Sequence, residues 1–455
     1  MAASVFENLG LWVANLTIDD VPEAAREVAR RAIIDSVGVT MAANDGDIAQ
    51  LLGAYRSPAP VAGDAATIIG QQASAPAETA AFTNGVLGHA LDFDDCSEPL
   101  GGHPTIVIFP AALAAAELTG ASGAKVLEGY IAGFEVATAI GRAVNFAHYE
   151  GGWHPTATLG VFGGAAAAAK VLGLDAERTA TALAIAASLA AGIKANFGTM
   201  TKPLQAGRAA QNGLFAARMA QLGATANPGA FEDSQGFVAV HQGLDNADLS
   251  GLQGEVKPSW DLIDTGVTMK RFPCCASTHG AIEAALAIRE QLGSADDIES
   301  VQIWTHPRRL KHTNRPEPVT GFQGKFSVQY TVSTALHQGA VGMNDFSEEA
   351  IARPEVQRIL GRVRADEMPE ERWGVDHFPA EVEVTTRAGD TIRHRIEKPR
   401  GNGVELALTA EEIRAKFMDC CQAGGLDEQP ATALVERLWG IEQVEDLPEL
   451  TKLLA

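Results

Sequence analysis

The sequence predicts a mainly α-helical protein with a smaller α+β domain. Over the first 260 or so residues, apolar side chains recur at helical spacing between glycine-bearing breaks. After about residue 265 the pattern switches to strict alternation, the mark of half-buried strands. A hydrophobic content of 46% with 20% charged residues excludes wholesale disorder, and 455 residues suffice for two separate cores.

Asp20-Val21-Pro22 reads as a helix start, with Asp20 as the cap and the proline in the first turn; Ala25, Val28, Ala32, Ile33 and Val37 follow at helical spacing. Further helices are predicted over 105–119, 122–144, 156–172, 176–194 and 203–222, parted by breaks such as Thr119-Gly120 and Leu172-Gly173. The run Ala165 to Ala169 suits helices whose backbones approach closely. No strand signal of comparable strength appears in this part. Beyond it, Val301, Ile303 and Thr305 form a strand pattern, and Val382, Val384, Ala388-Gly389-Asp390, Ile392, His394 and Ile396 read as a hairpin around a glycine turn. Helices near 279–292 and 327–338 lie between these strands, and Thr409 with Glu412 forms a capping box that returns the chain to helix. The expected division is a helical domain of residues 1–265, rejoined by 405–455, and an α+β domain of residues 266–404.

A net charge of −22 argues against nucleic acid or an anionic membrane as a partner, since each needs a basic footprint. Should the ligand be an anion, its pocket must be locally positive within an acidic molecule. The N-terminus lacks the basic region of a secretory signal, and the most apolar stretch, near 180–193, is short and alanine-rich, as in a buried helix. Of five cysteines, Cys274-Cys275 and Cys420-Cys421 are adjacent and Cys96 stands alone, a spacing unlike any zinc or iron–sulfur framework. A reducing cytoplasm is the expected home.

Five segments place polar groups where packing does not require them. The first runs from His89 through Asp92-Phe93-Asp94-Asp95 to Gly102-His103-Pro104. It gathers two imidazoles and three carboxylates, suited to a metal or to acid/base chemistry, though its spacing matches no hard-cation loop, so no metal is expected. The second, Gly152-Trp153-His154-Pro155-Thr156, puts His154 at a helix start, where the dipole disfavours its charged form. The third, Phe197-Gly198-Thr199-Met200-Thr201-Lys202-Pro203, carries Lys202, which with Lys194 supplies the only charges from Thr179 to Gln205. A lysine in such surroundings either snorkels to the surface or is reserved for an anion. The fourth, Lys270-Arg271-Phe272-Pro273-Cys274-Cys275-Ala276-Ser277-Thr278-His279, opens a helix at the presumed domain junction, a common ligand location. Cys275 with His279 has the spacing of a thiol and base, although packing is the commoner role of such cysteines. The fifth, Gly324-Lys325-Phe326-Ser327-Val328-Gln329-Tyr330, reads by itself as a buried helix whose tyrosine needs one hydrogen bond.

Taken together, these five segments in this order resemble the MmgE/PrpD family, and the resemblance covers nearly the whole chain. It implies a large helical domain with a smaller lid domain, a homodimer, no metal and no organic cofactor. It also implies an enzyme that moves a proton on the carbon beside a carboxylate of a small di- or tricarboxylic acid. A lyase of the dehydratase type is the first expectation. The alternatives are an epimerase of an iminodisuccinate-like substrate and a non-catalytic binder of a small anion. The family's pocket matches at Asp94, His103, His154, Lys202, Lys270 and Tyr330. One departure stands out: where the family's decarboxylases carry a second histidine, this chain has Cys275. The segments around His103, His154 and Lys202 look most like the epimerase branch.

Deprotonating a carbon next to a carboxylate loads charge onto that carboxylate, so fixed cations must stabilise the transition state. On this reading Lys202, Lys270 and Arg271 hold substrate carboxylates, with Cys275 and His279 beside them. His103 and His154 handle protons as neutral imidazoles, Tyr330 delivers or orients a proton, and Asp94 positions a histidine.

Overall fold

The computed structural model describes residues 3–55, 63–254, 260–373 and 378–455. The chain divides into two compact units, residues 1–269 with 407–455, and residues 270–406. The protein is mainly helical, and its one larger sheet lies in the second unit.

In the first unit the helix Thr105–Thr119 is buried on every face from Thr105 to Ala116, which is why its sequence shows no polar stripe. Around it pack Ala77–Ala90, Gly123–Val144, Gly160–Val171 and Thr201–Gln221. Small residues let these helices touch backbone to backbone. The clearest case joins Ala77–Ala90 to Thr201–Gln221: a Cβ placed on Gly207 would fall 2.4 Å from the Phe82 carbonyl oxygen and 2.3 Å from Val86 Cγ2. His89 and Lys202 of the site sit on these same two helices, so this contact fixes the distance between their backbones. The C-terminal helices Ala410–Ala423 and Glu428–Trp439 fold back on Glu23–Ala42, burying Phe417, Cys421, Leu434 and Leu438 in the same core.

Several boundaries differ from the sequence reading for visible reasons. The helix expected from Asp20 begins at Glu23, because the Asp20 carboxylate instead accepts from the Thr17 amide and hydroxyl, closing a short turn. The expected 156–172 helix is two pieces, Pro155–Thr158 and Gly160–Val171. The 176–194 helix stops at Leu189; the chain then runs extended, and Ile193 pairs with Trp153. Two short strands that the sequence did not announce, β1 (Ala65–Thr67) and β2 (Ser74–Pro76), pair antiparallel in this unit.

The second unit is built on a four-stranded sheet of β3 (Ile298–Thr305), β4 (Val363–Glu367), β5 (Ala380–Thr386) and β6 (Thr391–Ile396), in the order β4-β3-β5-β6. β3 pairs parallel with β4 and antiparallel with β5, and β5–β6 is the hairpin read from the sequence. β4 escaped that reading because only Val363 of its five residues is buried, as befits an edge strand. Val301, Ile303, Val382 and Val384 form one core with the helices Ala276–Gln291 and Val328–Gln338. Among the described residues no helix is long and apolar enough to cross a membrane, and all five cysteines are free.

The Gly207 contact gives a direct test. Gly207→Ala should lower the unfolding free energy by roughly 1–3 kcal/mol, as overpacking of a tight interior does, and also weaken the binding of any ligand held from both helices. A variant as stable as the wild type in urea titration would show that the helices separate freely.

Candidate active site

Five stretches distant in sequence meet in one buried cluster of the first unit. The first is the end of the Ala77–Ala90 helix, where His89 is 1% exposed. The chain leaves that helix through Asp92, a non-glycine residue at φ 52° whose amide still bonds the His89 carbonyl at 3.2 Å. A left-handed residue bearing a side chain costs about 1 kcal/mol, and aspartate is among the types that tolerate it. Next come residues 96–103. Cys96 and Thr268 exchange two backbone bonds of 2.8 Å, and the Ser97 amide bonds the Gly102 carbonyl at 2.9 Å. The His103 amide donates to Thr156 Oγ1 at 3.0 Å. Here only glycine fits at 102, since a Cβ would lie 2.6 Å from the Thr156 nitrogen. His154 caps the short helix Pro155–Thr158 with its backbone, leaving the imidazole unused as a cap. The extended 190–193 segment holds it through the His154 amide to the Gly192 carbonyl at 3.0 Å. Finally, the first turn of Thr201–Gln221 presents Lys202 and Gln205.

Asp94 organises the cluster. Its Oδ2 lies 2.8 Å from His89 Nδ1 and 3.0 Å from His103 Nδ1, and the two rings sit 4.4 Å apart. Burial opposes its ionisation, yet the two imidazoles hold its carboxyl well below the usual carboxylate range. An ionised carboxylate only accepts, so both Nδ1 atoms carry protons. His154 reaches the same state by another route. Gln205 Nε2 donates to the Ile193 carbonyl at 3.2 Å, which turns Oε1 to accept from His154 Nδ1 at 2.8 Å. The Nε2 atoms of His89 and His154 are buried with no hydrogen-bond partner among the described residues. Burial, reinforced by charges that include the Lys202 ammonium, drives both imidazoles to the neutral form, His89 down to about 3 and His154 well below its ordinary value. Next along the chain, Asp95 is fully buried, donated to by the Thr105 hydroxyl at 2.5 Å, and pushed up to about 7 by burial.

Lys202 departs from the sequence reading. It is 5% exposed, as a reserved lysine should be, but its ammonium already holds Asp92 Oδ1 at 2.5 Å. With His89 and His154 neutral, the Lys202 ammonium faces the carboxylates of Asp92 and Asp94. This cluster alone therefore does not make the locally positive pocket expected for an anion. His89, Asp92, Asp94 and His103 also offer one ligand atom each within 4.8 Å of one another, a spacing open to a cation. The Lys202 ammonium supplies the positive charge on the Asp92 side of that group.

The remaining candidates belong to the second unit. Lys270 is 1% exposed there, while Arg271 is outward and pairs with Glu283 at 3.7 Å. Cys275 caps the Ala276–Gln291 helix, and its amide bonds the Lys325 carbonyl at 3.0 Å. His279 Nε2 is 3.3 Å from the Cys274 carbonyl. The Tyr330 hydroxyl donates to the Asp345 carbonyl, and burial pushes it up to about 12, which makes it a poor proton donor.

These arrangements coincide with family-wide matches. The model of the MmgE/PrpD N-terminal domain matches residues 7–250, and that of the C-terminal domain matches residues 272–441. The chain belongs to the MmgE/PrpD family. Among its relatives, the cis-aconitate decarboxylase of Homo sapiens is 30% identical over 469 residues, spanning 100% of this chain and 95% of its own. The Mus musculus protein of that name is 29% identical over 470 residues (100% and 94%), and the one from Aspergillus terreus 28% over 473 (97% and 94%). This MmgE/PrpD chain is accordingly an enzyme of the lyase type.

Two members of the MmgE/PrpD cluster, His89 and Asp92, lay in the first sequence segment without being singled out. His89 looked like the end of a helix, which it is. Its five-residue separation from Asp94 was the available signal, since one turn beyond a helix end can bring such a pair together.

His89 makes the protonation state testable. Its folded pKa lies below its unfolded one, so its neutral form stabilises the fold above about pH 6.5, and that stability is lost as pH falls toward 3. His89→Gln should flatten the fall of unfolding free energy across this window, by up to about 1.4 kcal/mol per pH unit. Parallel pH–stability curves for the two proteins would mean that His89 is charged in the native state.

Proposed function

We propose that this protein is a cofactor-independent lyase of a small tricarboxylate, with cis-aconitate as the first substrate to test. The observation that carries the reading is the pair of buried imidazoles, His103 and His154, held in defined tautomers beside the Lys202 ammonium. A neutral imidazole with a free lone pair takes a proton from carbon, and one backed by a carboxylate is stabilised once it has gained one. His154 Nε2 has the first character and His103, on Asp94, has the second. Lys202 meets the charge that develops on the substrate carboxylate, exchanging Asp92 for it. Lys270 is proposed as a further carboxylate contact, and Tyr330 as a packing residue. A homodimer in the cytoplasm completes the reading, with light scattering at twice the chain mass as its check.

When a tricarboxylate such as cis-aconitate loses carbon dioxide, the electron pair left behind must be held by the remaining conjugated carboxylate until carbon is protonated. Dehydration and epimerisation pass through a similar carbanion. The same cation and the same two imidazoles serve all three outcomes, so shape around the substrate selects among them. The relatives named above favour decarboxylation, whereas Cys275 in place of the decarboxylases' histidine favours another outcome.

Proton NMR in heavy water, with cis-aconitate, 2-methylcitrate and iminodisuccinate in turn, decides. Expected is consumption of one of them with a solvent deuteron placed on carbon, and release of carbon dioxide if it is cis-aconitate. Neither turnover nor exchange on any of the three would overturn the proposal. The rate should survive EDTA; loss on chelation with recovery on adding a divalent ion would place a metal on the histidine–aspartate cluster instead.

His154→Gln and Lys202→Met should each lower kcat/KM by about 10²–10⁴-fold, the range of a lost proton-transfer group. Removing one member of a buried ion pair costs roughly 3–5 kcal/mol in stability, so Asp92→Asn/Lys202→Met serves as the folded control. Near-normal turnover in His154→Gln and in that double variant would sink the assignment.

A further inference from the structure

We infer that Lys416, on the Ala410–Ala423 helix of the C-terminal segment, is a positioning residue for the Asp92–Asp95 loop. The inference deepens the proposed function and rests on the reading of this cluster as the active site. The loop belongs to neither helix nor strand. Its backbone is tied at one end by the Asp92 amide to His89 and at the other by the Cys96–Thr268 bridge. Between those ties the carbonyl of Phe93 accepts from Lys416 Nζ at 2.8 Å. The same ammonium lies 3.7 Å from the centre of the Phe93 ring. It is therefore fastened to both the main chain and the side chain of one residue.

The counter-charge is Asp35, on the Glu23–Ala42 helix, with Oδ1 2.6 Å from Lys416 Nζ; the two side chains are 0% and 8% exposed. Balancing a buried aspartate requires only an ammonium in its neighbourhood. It does not require that ammonium to grip the peptide between Asp92 and Asp94. Since alternate residues flank Phe93, rotating its peptide swings the Asp92 carboxylate off Lys202 and the Asp94 carboxylate off the two imidazoles. Asp92 is in a left-handed conformation that its surroundings must maintain, so the loop has a ready direction in which to relax. Through this one contact, the geometry of the histidine cluster depends on a helix more than 300 residues later in the chain.

Two variants separate positioning from charge balance. Lys416→Met removes the donor and the ammonium beside Asp35; Asp35→Asn/Lys416→Met removes the donor together with that carboxylate charge. The readout independent of activity is the set of Nδ1–H signals of His89 and His103 in a long-range ¹H–¹⁵N spectrum of the full-length protein, assigned with His89→Gln. Both variants should shift or lose these signals. On the substrate identified in the heavy-water assay, both should also reduce kcat at least tenfold with KM changed less than threefold, while the double variant regains the melting temperature lost in the single one. Wild-type histidine signals in the double variant, or wild-type kcat in it, would overturn the inference and leave Lys416 as a counter-ion for Asp35 alone. If the unmodified protein turns over none of the three acids, the proposed function fails, and the histidine signals still decide the role of Lys416.

Discussion

The structure of the site depends on one buried carboxylate. Asp94 has no solvent to share its charge, and a single oxygen of it accepts hydrogen bonds from two imidazoles. That arrangement sets which nitrogen of each ring is basic, and by doing so sets what the rings can do. Were Asp94 neutral, its hydroxyl would need an acceptor and one ring would have to take the opposite tautomer. Keeping it ionised in such surroundings demands hydrogen-bond donors at fixed distances, and fixed distances demand a rigid frame.

The helical unit provides the frame through small side chains. Glycine and alanine let the Ala77–Ala90 and Thr201–Gln221 helices meet at their backbones, so His89 at the end of one and Lys202 at the start of the other are placed by main-chain contacts. Long flexible side chains between the helices would have blurred that distance. The same composition explains why the helices carry so few charges. A charged residue on faces this close would be buried without a partner, so the ionic groups that do occur in the interior are matched: Lys202 with Asp92, Lys416 with Asp35.

Much of this was legible in the sequence, in proportion to how local the cause was. The helices 105–119 and 122–144, the hairpin around Gly389 and the cap at Thr409 follow from periodicity and turn chemistry within a few residues, and they appear where read. The early stop at Leu189 was not legible, because it follows from pairing with Trp153, dozens of residues upstream. β4 hid because an edge strand in contact with solvent has no alternation to show. In the site, Asp94, His103, His154 and Lys202 were legible as polar residues in apolar or glycine-rich company, and the structure gathers these four. The partner of Lys202 was not. A lysine alone among alanines advertises a missing anion, but whether the anion is a ligand or an aspartate from a distant loop is decided by the tertiary fold. For Cys275 and His279, spacing along a helix suggested a pair, while the contact the fold adds is that of His279 Nε2 with the Cys274 carbonyl.

The chain order of the first unit has a consequence for how the molecule is made. Residues 407–455 close a core begun by residues 5–269, with the whole of the second unit synthesised in between. A nascent chain emerging from the ribosome thus carries the histidines and aspartates of the cluster long before Ile413, Phe417 and Leu434 are available to cover the Glu23–Ala42 helix. Until then an apolar face stays open to water, and the loop bearing Asp94 lacks its last anchor. The helical core around the cluster therefore waits, during synthesis, on residues that follow the whole of the second unit.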